Sequence, residues 1–166
     1  MVKYGAMMAL LAALVLVASK TWAEEKEPAA IVEIGGAGEW GLRNGGTSFG
    51  PSAAIEFTPI KDWLEIEAGI APLFGGGHTE WDTDLLFKKP FTLSDTVEFM
   101  VGVGPEWTYT TAGVGKIGAE VALDFMFWPW PGRKFGWFLE PSYSYSFSSG
   151  HEQSLGVSVG LLVPIP

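Results

Sequence analysis

The chain has 166 residues, 48% of them hydrophobic and 14% aromatic, with 22 glycines, 8 tryptophans and no cysteine. That suits one ordered domain and excludes a disulfide framework, a thiolate metal site and a cysteine nucleophile. Nineteen acidic residues against ten basic ones give a formal charge of −9, which argues against nucleic acid as a partner.

The N-terminus reads as an export signal. Lys3 precedes an apolar core, AMMALLAALVLVAS, at residues 6–19. Thr21 and Ala23 then stand at the small-residue positions before a cut, and EEKEPAA follows. The apolar run is too short for a comfortable helical span, so residues 1–23 are expected to be cleaved, leaving residues 24–166 as a single domain. Their removal takes Lys3 and Lys20 and no acid, leaving 8 bases against 19 acids.

Beyond the signal the chain alternates with period two. Eight strands are predicted at residues 29–42, 48–59, 63–74, 79–93, 97–110, 116–128, 134–147 and 153–164. The connections carry turn residues: RNGG, PIKD, FGGGH, LSD, AGVG, PGRK and SSGHEQ. A glutamate repeatedly sits between apolar or small neighbours, as in VEI (32–34), IEF (55–57), LEIE (64–67), VEF (97–99) and AEV (119–121). The sixth strand shows the grammar well. Val121, Leu123 and Phe125 point one way, Gly118, Glu120, Ala122 and Asp124 the other, and WPWPG at 128–132 ends it. Eight successive antiparallel strands with short links predict an all-β, up-and-down barrel.

The composition of the two faces indicates which is inside. The face holding the acids is otherwise Gly35, Ala37, Ala54, Gly69, Gly102, Gly104, Ser142, Ser144 and their like, which suits the cramped interior of an eight-stranded barrel. The opposite face carries bulk, including Ile66, Ile70, Val101, Val103, Leu139, Val159 and Leu161. Bulky outside and small-polar inside is the transmembrane arrangement. Aromatics fall near strand ends. Phe57, Trp63, Phe91, Trp128, Trp130 and Phe135 are expected in one girdle; Trp40, Phe49, Phe74, Trp81, Trp107, Tyr109, Tyr145 and Phe147 in the other.

With signal, alternation and aromatic ends in place, residues 29–166 resemble the small eight-stranded outer-membrane β-barrel proteins, such as the barrel domain of outer membrane protein A. The resemblance implies a Gram-negative outer-membrane location, lipid and the barrel-insertion machinery as partners, and a monomer. Members of that family usually finish on an aromatic residue that the insertion machinery reads, whereas this chain finishes VSVGLLVPIP.

Candidate chemistry is sparse. SSGHEQS places His151 near Ser148, Ser149, Glu152 and Ser154, a composition compatible with a hydrolase but equally with an exposed loop. His78, Glu80, Asp82 and Asp84 alternate onto one face at the outer end, where Glu39 and Glu106 also arrive. Oxygen-rich and poor in bases, this rim could hold Ca²⁺ or Mg²⁺, or be a solvated acidic edge. Deeper, Glu33, Glu56, Glu65, Glu67, Glu98, Glu120, Asp124 and Glu140 share the inward face with Lys88, which predicts an acidic, hydrated interior. The expected function is that of a non-enzymatic, cofactor-free barrel with a structural or surface-binding role. The alternatives are a soluble lipocalin-like barrel, a lipid-modifying enzyme and a narrow cation channel.

Overall fold

A computed structural model describes residues 28–166 apart from Asn44, Ala112 and Val114; the predicted signal at residues 1–23 lies outside the described residues. Eight strands form: β1 (Ala30–Gly41), β2 (Thr47–Ile60), β3 (Leu64–Gly75), β4 (His78–Ser94), β5 (Val97–Thr110), β6 (Gly115–Phe127), β7 (Gly136–Ser146) and β8 (Gln153–Ile165). Every boundary lies within two residues of its predicted position, because the turns are set by residues that break alternation. Gly45, Gly76, Gly77, Gly113, Gly132 and Gly150 all take positive φ in the connections.

Each strand pairs antiparallel with its sequence neighbours. β1 closes the ring on β8 from Ala30↔Ile165 to Gly41↔Ser154. The start of β1 and the end of β8 therefore lie at one mouth, the terminal end, together with the β2–β3, β4–β5 and β6–β7 turns. The other four connections lie at the opposite mouth, the loop end. Closure leaves no unpaired edge. The wall bends sharply in places. At Gly104 a β-carbon would meet the Leu85 carbonyl oxygen at 1.8 Å, so only glycine fits there.

Alternation fixes the faces. Ile34, Ile55, Ile70, Val103, Val121, Leu139 and Val159 are all exposed on the outside. Glu33, Glu56, Glu67, Lys88, Asp124 and Glu140 are buried on the inside. The greasy face is thus the outer one, which overturns the lipocalin-like alternative with its apolar interior.

Two expectations need correction. Trp128 does not belong to the outer girdle; it is 1% exposed and lies in the lumen. The inward face is also not uniformly small and polar. Ile31, Met100, Met126, Trp128, Phe138 and Leu162 pack together as a buried apolar cluster at the terminal end. The cause is parity: Met126 and Trp128 follow Asp124 in even steps, so they point where it points.

Candidate functional site

The interior has three tiers. At the terminal end the apolar cluster fills the bore. Glu98 lies beside it, accepting a hydrogen bond from Trp128 Nε1 (3.2 Å) and pairing with Arg133 (2.8 Å), whose guanidinium lies 5.6 Å over the Trp128 ring. Such a layer excludes water by filling space, and the indole N–H is satisfied by the carboxylate at its edge.

Above it sits a charged tier. Lys88, on β4, is fully buried, and its Nζ donates to Glu67 of β3, to Asp124 of β6 (3.0 Å) and to Glu140 of β7 (2.6 Å). Glu56 of β2 stands 3.8 Å from the same nitrogen. Glu33 of β1 completes the group: carboxylate oxygens of Glu33, Glu56, Glu67 and Asp124 all lie within 4.8 Å of one another. One ammonium thus faces five carboxylates drawn from five strands. Buried this deeply, charges persist only when paired or hydrogen-bonded. Yet Glu33 Oε1, both oxygens of Glu56 and Asp124 Oδ1 are buried without a hydrogen-bond partner.

Toward the loop end the bore opens into a polar chamber. A cavity of about 70 Å³ is bounded by Glu33 and Glu67 below and by Asp82, Asp84, Glu120 and Ser142 higher up. Glu39 and Ser144 line both this cavity and a second one at the mouth. There Glu152 pairs with Lys116, and Arg43 Nη1 donates to the Gly150 carbonyl (2.6 Å), tying the β1–β2 connection to the β7–β8 one.

The predicted rim residues are distributed through this chamber. Asp82 and Asp84 lie inside it, Glu106 is buried on the wall, Glu39 and Glu80 are half-buried, and His78 is exposed with Nδ1 3.4 Å from the Gly76 carbonyl. Among the described residues it is the deeper set of Glu33, Glu56, Glu67 and Asp124 that converges to metal-ligand spacing. Of the other predicted inward acids, Glu120 and Glu140 are buried, and Glu65 and Glu98 half-buried. The loop histidine is engaged elsewhere: Tyr145 Oη and His151 Nδ1 are 3.1 Å apart and their rings stack at 5.9 Å. That contact takes up the ring nitrogen that a Ser–His arrangement would use to orient its base.

No protein-family model matches the chain, and no curated protein sequence does. Solved structures do. Neisserial surface protein A superposes with a TM-score of 0.69 at 14% identity, over 82% of this chain and 97% of that one. The N-terminal β-barrel domain of Pseudomonas aeruginosa OprF gives 0.56 at 16% identity, over 80% and 96%. Ail, the attachment invasion locus protein of Yersinia pestis, in complex with the heparin analogue sucrose octasulfate, gives 0.59 at 14% identity, over 82% and 97%. The chain therefore has the fold of the small eight-stranded outer-membrane β-barrels.

Proposed function

We propose that this chain is a non-enzymatic outer-membrane barrel of a Gram-negative cell envelope, with a structural or surface-binding role and an acidic interior reached from outside. One observation carries the reading. Large apolar side chains cover the outer wall while the ionic residues are turned inward; Ile34 is 56% exposed where Glu33 is 2%. In water this arrangement would bury charge and expose grease. In lipid both faces meet the medium they suit. The neighbours' fold supports the same reading, as does the export-like segment at residues 1–23.

Export through that segment puts the terminal end in the periplasm and the loop end outside. The apolar plug then stands between chamber and periplasm, which weighs against a through channel. Apolar residues on all eight strands favour a monomer ringed by lipid. The acid-rich mouth suits cations or basic partners better than a polyanion such as the one bound by Ail.

Fractionation tests the reading. Expressed with its N-terminal segment, the chain should stay in the membrane pellet through high-salt washing and enter solution only with detergent. It should migrate differently on a gel when unheated and when boiled. Folded protein released without detergent would refute it.

A further inference from the structure

We propose that the charged tier is a cation site: Glu33, Glu56, Glu67 and Asp124 hold one Ca²⁺ ion inside the barrel, beside the Lys88 ammonium. The geometry comes first. Ca²⁺ takes six to eight oxygens at about 2.3–2.6 Å, so ligands on opposite sides stand about 4.6–5.2 Å apart. Four carboxylate oxygens mutually within 4.8 Å fit that sphere. Mg²⁺, with a tight octahedron at about 2.0–2.1 Å and reluctant dehydration, suits this irregular set from four separate strands less well.

The second observation is independent of the spacing. Lys88 engages Glu67, Asp124 through Oδ2, and Glu140. Glu33 Oε1, both Glu56 oxygens and Asp124 Oδ1 are buried without a hydrogen-bond partner, and Glu56 Oε2 has only the more distant ammonium at 3.8 Å. Glu33 is 2%, Glu56 1% and Asp124 0% exposed. Buried polar atoms are nearly always satisfied, and ionised carboxylates that outnumber the cations beside them are among the costliest groups to bury. A cation bound to the oxygens that accept no hydrogen bond lowers that cost and adds the positive charge that one ammonium cannot supply.

The cavities lie on the side from which an ion would arrive, the inner one sharing Glu39 and Ser144 with the one at the mouth. Glu33 and Glu67 line the floor of the inner cavity, and Asp82, Asp84 and Glu120 line it higher up. A narrow acidic cleft with low-dielectric walls concentrates cations. The rim acids serve on this account as the approach, and the site lies below them.

The test uses the full chain purified in detergent, stripped with EDTA and dialysed against radioactive Ca²⁺. One ion per chain is expected. Binding should be lost in the Glu33→Gln, Glu56→Gln double variant and retained in Asp82→Asn, Asp84→Asn. The glutamines keep size while removing unpaired charge, so this variant should fold, and its heat-modifiable gel band checks that. Lys88→Met removes the competing ammonium and should bind Ca²⁺ at least tenfold more tightly. Absence of stoichiometric binding in the folded parent would overturn the site while leaving the membrane reading intact. So would binding unaffected by Glu33→Gln, Glu56→Gln, or binding abolished by the Asp82 and Asp84 changes. Should the double variant not fold, Lys88→Met decides: unchanged or weaker affinity overturns the site.

Discussion

Replacing Lys88 by methionine isolates the role of the one cation at the centre of the barrel. Methionine keeps the length and most of the volume of the stem and deletes the ammonium. Three carboxylates lose a direct donor, and Glu56 loses its nearest positive charge. All of these groups are at least nine-tenths buried, so solvent does little to compensate. Removing one partner of a buried ion pair typically costs about 3–5 kcal/mol, because the remaining charge is stranded. Here several are stranded around one vacancy, which argues for the upper part of that range. At roughly 1.4 kcal/mol per decade, the folded-to-unfolded ratio should fall by a factor of ~10²–10³ or more. The assay is reversible urea unfolding in lipid vesicles with EDTA present, followed by tryptophan fluorescence. With a slope of about 1–3 kcal/mol per molar, the midpoint should drop by roughly 1–5 M. A combined Lys88→Met, Glu67→Gln, Asp124→Asn variant should recover much of the loss, since it removes charges along with their partner. A shift of less than about 0.5 M in the single variant would refute the view that Lys88 holds the tier together.

Three further outcomes are expected. Val101→Arg puts a cation on the outer wall and should destabilise refolding into lipid by about 2–4 kcal/mol if it lies at mid-bilayer; urea midpoints equal to those of the parent would count against a lipid-facing wall there. Deleting residues 154–166 removes β8 and with it both of that strand's ladders, so the heat-modifiable folded band should disappear from the gel. Trp128→Ala should cost about 3–5 kcal/mol of stability in urea titrations and should raise conductance in planar bilayers above the parent's, since the largest side chain of the terminal plug is gone.

The strands, their order and the identity of the outer face were legible in the sequence because period-two alternation is long and the turns are marked by glycine, proline and short polar runs. Trp128 shows where reading by residue type went astray. Its place near a strand end suggested a girdle, yet its phase relative to Glu120 and Asp124 already assigned it to the bore. The same phase count finds Ile31 from Glu33, Met100 from Glu98 and Phe138 from Glu140, so the plug was recoverable from the sequence. Convergence of the charged tier was not. Glu33, Glu56, Glu67 and Asp124 meet because of strand tilt and the register of pairs such as Glu56↔Glu67 and Glu65↔Lys88. Alternation says which way a side chain points and leaves open how high in the barrel it sits.

The charged tier also constrains how such a barrel can be assembled. Its members come from β1, β2, β3, β4, β6 and β7, so nearly every hairpin carries at least one ionic side chain at the same depth. A hairpin entering lipid alone would present that side chain, and an open ladder besides, to hydrocarbon. Neither burden is lifted until the last strand meets the first, because Glu33 stands on the strand that makes the closing seam. A partly inserted sheet therefore gains little from each added strand and nearly everything from closure. Insertion should be all-or-none, with the ring completed at the membrane surface or within a protein that shields the seam, and with no half-built barrel resting in the bilayer.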